Sequence, residues 1–356
     1  MDRSSSQRQV EGIPEVILSE LRKAPYKQLP FAEVMEISLY HPNCGYYSKP
    51  TPKLGKAGDF FTNVHVSDLF GRVVADYFLQ YWQEKNASSS LCLIEIGGGE
   101  GRLLQQITTQ FQLKGVAKSS LQIYSVERSP YHQKEQQKRL SNIPYAIHWV
   151  DKLVDVPKAS FSIVFSHELI DAFPVHRLIW KNGVWWEIYV AEKENKLVEI
   201  HDSLSTVELQ KYVNERTEEI LEGQQIEVNL YAKKWITEVA DWVHSGLIWT
   251  LDYGGTTREL HSVRYLDGTM RYYQSHQHVD DPYPLLGSID MTAHVNFADL
   301  MFWGEQSTLT TSFYGSQSMF LIDAGIFSYT APEYRNAIKQ LMMGMGENFH
   351  VLVQSK

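Results

Sequence analysis

The segment 91–101, LCLIEIGGGEG, constrains this chain more than any other. Its apolar half is continuous rather than alternating, which predicts a strand covered on both faces, as in a parallel sheet layered between helices. The glycines that follow let the backbone turn tightly and approach a ligand with no Cβ in the way. The helical pattern LLQQITTQF comes next, and a helix N-terminus offers unpaired N–H groups to an anionic group. Strand, glycine turn and helix in that order describe a site for a nucleoside-type cofactor.

The flanking sequence repeats the arrangement. LQIYSVE (121–127) reads as a second strand followed by a polar helix, and YAIHWVD, FSIVFS and LIWTLDYG read as three more, ending near Asp151, Ser166 and Gly254. Buried strands separated by helices predict an α/β fold with a Rossmann-like, doubly wound, mostly parallel sheet. Two amphipathic helices open the chain, with Ile13, Val16, Ile17 and Leu21, then Phe31, Val34, Met35 and Leu39, at helical spacing. A structured loop of Pro, Gly and aromatics covers 40–62, and a helix follows from about Ser67 to Glu84. In RLIWKNGVWWEIYV (177–190), two alternating runs flank Asn182-Gly183, a β-hairpin signal. Helical patterns follow near 206–221 and 231–243. About 70 residues thus separate the fourth and fifth parallel strands, too many for a simple crossover, and they predict an inserted α+β lobe. The expected organisation is an N-terminal helical segment and cofactor-covering loop over 1–66, a core over 67–175 and 246–356, and the lobe over 176–245. The last hundred residues are mixed in pattern.

Gly97, Gly99 and Gly101 form GxGxG with Glu95 ahead of them and Gly98 inside the turn. The dinucleotide fingerprint is GxGxxG; the shorter spacing is that of S-adenosylmethionine, with Glu95 facing the methionine ammonium. Glu127, closing the second strand beside Arg128 and Ser129, can accept both hydroxyls of a ribose. Asp151, at the end of the third, is placed to read the adenine. A nicotinamide or flavin site and a glycine turn without a ligand are the competing readings. The fourth strand ends in His167, Glu168 and, three residues on, Asp171. On one turn of helix or in a tight loop the two carboxylates face the same way, and can grip a guanidinium or take a proton from a nucleophile. A helix start that favours acidic residues is the plainer alternative. His276 and His294 are candidate bases, although a lone histidine beside apolar residues is more often a structural one. His276, His278, Asp280 and Asp281 match no metal-site spacing, so no metal is expected. Trp180, Trp185 and Trp186 read as lobe core ahead of an acceptor wall.

Charge and cysteine content narrow the partners. Thirty-three Lys and Arg against 42 Asp and Glu leave a net charge of −9, which argues against a nucleic-acid partner. Two cysteines, Cys44 and Cys92, suit a reducing compartment. With a polar N-terminus and no run of about 18 apolar residues, no membrane partner and a cytoplasmic location are the expectation.

The ordered motifs together resemble the MidA-like, complex I assembly factor type of S-adenosylmethionine-dependent methyltransferase. They are Tyr40-His41-Pro42 with Gly45-Tyr46-Tyr47, Gly58-Asp59-Phe60 with Thr62, the glycine turn, Glu127-x-Ser129-Pro130, Glu168-x-x-Asp171-Ala172-x-Pro174-Val175, Asp252-Tyr253-Gly254, Gly268-Thr269 and Asp290-x-Thr292-Ala293-His294. The resemblance implies a class I methyltransferase fold with an extra lobe and S-adenosyl-L-methionine as cofactor. It also implies that Gly58, Asp59 and Thr62 lie near the cofactor, that the acidic segment with Glu168 and Asp171 lies near the transfer site, and that the acceptor is a protein arginine. The sequence departs from the family at Gly98, where proline is usual, and at His167, where asparagine is usual and the acceptor nucleophile approaches. A small-molecule hydroxyl as acceptor, or an assembly factor that binds the cofactor with little turnover, stand as alternatives. A homodimer is compatible with the sequence.

Overall fold

The computed structural model describes residues 15–50, 64, 67–86, 90–217, 220–274, 277–343 and 347–356. The chain divides into two compact units, one of residues 50–173, 229–264 and 293–356, the other of 1–49, 174–228 and 265–292.

The larger unit is built on the sheet that the apolar runs predict. β1 (Leu91–Ile96), β2 (Leu121–Val126), β3 (Ile147–Val150), β4 (Ser162–His167) and β5 (Gly246–Gly255) are parallel neighbours in the order β3-β2-β1-β4-β5. β6 (Thr310–Ser316) and β7 (Phe349–Ser355) extend it, β7 antiparallel to β5 and β6 antiparallel to β7. The short segment Val295–Asn296 pairs in parallel with the end of β5. Strand order reverses direction between β1 and β4, and ligands of such sheets bind beyond the strand ends at that point.

The helices of this unit are α1 (Leu69–Asn86), α2 (Arg102–Leu113), α3 (Pro130–Arg139), α4 (Leu230–Trp242), α5 (Phe297–Gln306), α6 (Gln317–Asp323) and α7 (Arg335–Met343). Phe70 and Phe78 of α1, Phe165 of β4, Trp249 of β5 and Phe320 of α6 form one buried aromatic cluster. Truncating one such ring costs about 3–5 kcal/mol, so this cluster anchors α1 and α6 on the sheet. Local sequence starts the other helices: Ser129 caps α3 ahead of Pro130, and Asn229 caps α4.

The smaller unit carries the hairpin. His176–Lys181 and Val184–Lys193 are antiparallel with Lys181 opposite Val184. Asn182 and Gly183 have φ of 55° and 77°, the two positive values a type I′ turn needs. Lys196–Asp202 and Gln28–Pro30 pair with the second hairpin strand, and Gln225–Val228 with the first. Trp180 and Trp185 meet edge to face, and the Arg177 guanidinium sits 4.8 Å from the centre of the Phe31 ring. Arg271–Gln274, Gln277–His278 and Asp290–Thr292 make a separate three-stranded sheet.

The unit boundaries differ from the sequence expectation. Among the described residues, those of 15–49 and 265–292 belong with the hairpin, because Gln28–Pro30 is a strand of its sheet and Leu266 accepts the Gln225 N–H. α4 belongs to the core instead of the lobe: it buries Ile236, Val239 and Ala240 and packs with α5.

Candidate active site

The glycine turn is built as its spacing requires. Gly97, Gly99 and Gly101 have φ of 69°, 51° and 75°, the left-handed region that side chains rarely adopt. At Gly98 the constraint is space, since a Cβ there would lie 2.1 Å from Glu95 Oε2. The turn therefore folds back over the Glu95 carboxyl. Glu95 is 2% exposed, and its Oε2 has no hydrogen-bond partner among the described residues. Burial, reinforced by the charge of nearby Glu127, pushes this carboxyl up to about 8. A buried oxygen without a donor is costly. A ligand ammonium is the kind of group that would satisfy it.

Glu127 follows β2 immediately. Its Oε1 accepts the Ser129 N–H at 2.8 Å, and its Oε2 lies 3.9 Å from His132 Nδ1. Burial raises the Glu127 carboxyl to about 7 against the opposing pull of the Ser129, Gly99 and Arg128 N–H groups. The Arg128 side chain itself is exposed. Gln133 Nε2 donates to the Glu127 carbonyl at 2.6 Å and to Asp151 Oδ1 at 3.0 Å, which ties the exposed Asp151 to the end of β2. The residues present thus suit the cofactor the spacing suggests: an orphaned carboxylate oxygen for an ammonium, a glycine cradle, and carboxylates at two further strand ends.

Gln136 belongs to this site although no sequence pattern marks it. Its Oε1 accepts from Ser125 Oγ at 2.7 Å and Trp149 Nε1 at 2.9 Å, while its Nε2 donates to the Gly99 carbonyl at 2.8 Å. One fully buried amide therefore joins the glycine turn to β2 and β3. In PYHQKEQQKR nothing marks which glutamine faces inward.

The acidic segment after β4 is a loop gathered round one carboxylate, so the helix-start reading does not apply. Asp252 Oδ2 accepts the N–H groups of Leu169, Ile170 and Asp171 at 3.2, 2.9 and 3.2 Å, and its Oδ1 that of Tyr253 at 2.9 Å. Glu168, at the head of this loop, has φ of 51°, a strain on the order of 1–2 kcal/mol for a residue with a side chain. Burial lifts the Asp171 carboxyl to about 6 against a hydrogen bond from Tyr253. Burial, then the charges of Asp171 and Glu168, lift Asp252 well above the ordinary carboxylate range. His167 Nε2 is 3.6 Å from Glu168 Oε1, and its ring meets Phe70 edge-on. His294 meets Tyr253 edge-on at 5.7 Å. Asp252 entered the sequence reading only inside a family motif, because nothing local shows that its partners lie some 80 residues earlier. Gly58, Asp59, Thr62 and His276 lie outside the described residues.

Comparison with known proteins adds four findings. Residues 73–315 match the family described as "Putative S-adenosyl-L-methionine-dependent methyltransferase". Over 299 residues the chain is 30% identical to the mitochondrial protein arginine methyltransferase NDUFAF7 of Danio rerio, which covers 76% of this chain and 67% of that protein. Over 305 residues it is 28% identical to the Drosophila melanogaster homolog, covering 76% and 65%. The chain thus spans about two thirds of the length of these relatives. A crystal structure of a Burkholderia thailandensis protein bound to S-adenosyl-homocysteine matches with a TM-score of 0.84 at 25% identity, covering 96% of this chain and 92% of the other. The expected cytoplasmic location is overturned, because the relatives are named as mitochondrial proteins. Few cysteines suit any reducing compartment and do not say which one.

Proposed function

This chain belongs to the S-adenosyl-L-methionine-dependent methyltransferase family, and from that premise we propose that its acceptor is a protein arginine. It is a methyltransferase with S-adenosyl-L-methionine as cofactor. The observation that carries the acceptor reading is the loop after β4, where Glu168 and the buried Asp171 stand three residues apart in one hydrogen-bonded turn. Carboxylates crowded out of water repel one another, and a planar cationic guanidinium relieves that repulsion while filling their acceptor sites. The activity named for the Danio rerio relative supports the same reading.

When bound, the cofactor supplies a methyl group on a sulfonium centre that is already reactive. The chain's own part is to align and to exclude water. Glu95, beneath the glycine turn, would hold the methionine ammonium. Glu127 would accept from the ribose hydroxyls, with Gly97, Gly98, Gly99, Gly101, Arg128 and Ser129 shaping the bed around it and Asp151 at the adenine edge. Glu168, flanked by His167, would orient the guanidine nitrogen. Asp171, with its carboxyl near 6, is matched to take up the proton which that nitrogen loses as its new bond to carbon forms.

The test is transfer of a tritiated methyl group from the cofactor to a pool of arginine-containing peptides, followed by hydrolysis to locate the label. Label on arginine is expected, with the rate of Glu168→Gln lower by about 10²-fold or more. Label on a hydroxyl side chain, or a Glu168→Gln rate equal to wild type, overturns the arginine reading.

A further inference from the structure

We propose that Asp252 is the positioning residue of the acceptor loop: through three consecutive backbone N–H groups its carboxylate fixes where Glu168 and Asp171 stand for methyl transfer. The inference rests on the reading that these two side chains meet the acceptor. Asp252 is fully buried on β5, so it acts on the loop rather than on any ligand. One oxygen gathers the N–H groups of residues 169, 170 and 171, and the other takes the N–H of Tyr253. A simple helix cap would satisfy N–H groups of a helix that then continues; here no helix follows, and the Phe173 N–H closes back on the Ile170 carbonyl.

Two carbonyls of the loop are tied from other directions. Ala293 donates its N–H to the Asp171 carbonyl at 2.9 Å, and Asn229 Nδ2 donates to the Ile170 carbonyl at 3.3 Å. The bracket holds Glu168 in its left-handed conformation, which a loosened loop would leave. It also sets Leu169, whose Cδ1 stands 2.5 Å from the place a Cβ on Gly97 would take. A single carboxylate on β5 thereby fixes both acidic side chains and the residue that packs on the cofactor turn. Four N–H donors converge on the two oxygens of this side chain, and an amide in its place would turn its own NH₂ toward one of them.

The test uses the full-length chain and two variants, Asp252→Ala and Asp252→Asn, with hydrogen exchange followed by mass spectrometry. In Asp252→Ala, exchange of the segment 168–173 should speed by about tenfold or more while β1 and β2 keep wild-type protection. Affinity for S-adenosylhomocysteine should stay within about threefold of wild type, and methyl transfer to the arginine peptide pool at saturating cofactor should fall by about 10²-fold. Asp252→Asn should fall between. Unchanged exchange at 168–173 overturns the proposal, as does faster exchange spread evenly over the sheet, which would make Asp252 a residue of global stability. Local loosening with undiminished transfer overturns it as well. If wild type labels no arginine peptide, the acceptor reading fails by itself, and the exchange pattern still decides whether Asp252 fixes the loop.

Discussion

Glu95 and Glu127 hold their protons near neutral pH because they are buried, and that couples the cofactor site to pH. A carboxyl raised from 4.5 to about 8 in the folded chain binds a proton that the unfolded chain has already released. Its effect on stability is nil below about pH 4.5 and grows more unfavourable as pH rises toward 8. Glu95→Gln removes that penalty. The Tm of the cofactor-free variant should therefore exceed wild type at pH 8 by several degrees, with the gap closing toward pH 5, while affinity for S-adenosylmethionine falls by about tenfold or more. Equal Tm differences at both pH values would contradict the assignment. Glu127→Ala, which deletes the acceptor for two ribose hydroxyls, should weaken cofactor binding by about 10²-fold in a calorimetric titration. Normal affinity would remove Glu127 from the ribose site.

Among the elements, the five parallel strands were legible because each is a largely apolar run, buried in all but the edge strand β3, that ends at turn or acidic residues, and that pattern is entirely local. β6 was not legible, since TTSFYGS buries none of its residues fully and alternates weakly. Gln28–Pro30 is too short for any period to show. The glycine turn and the place of Glu127 at the end of β2 were readable from the sequence alone. Gln136 and Asp252 were not, because their roles exist only once α3 and β5 are packed beside the loops they hold. Gln136→Leu tests the first of these: it strands Ser125 Oγ, Trp149 Nε1 and the Gly99 carbonyl inside the fold. The expected cost is about 2–5 kcal/mol of unfolding free energy, read by denaturant titration, together with weaker cofactor binding. A variant of wild-type stability would mean that this amide does not hold the turn.

At the scale of the molecule, both units are assembled from three separated stretches of chain. A linear reading of 1–66, the core and 176–245 therefore differs from the two units at its borders, which strand pairing and helix packing decide. Net charge works at the same scale. At −9 the chain attracts cationic peptides over distances that salt screens, so kcat/KM for a basic arginine peptide should fall several-fold between about 10 mM and 300 mM salt. A salt-independent value would mean that acceptor encounter is not steered by charge. Cofactor binding through these carboxylates is tested first by calorimetric titration with S-adenosylmethionine near pH 7 in two buffers of different ionisation heat, with a nicotinamide dinucleotide as control. Saturable binding of S-adenosylmethionine alone is expected, with protons released to the buffer as the ligand's positive charge meets the carboxylates, and with that release diminished in Glu95→Gln. Binding without proton release, unaltered in Glu95→Gln, would contradict the site as described.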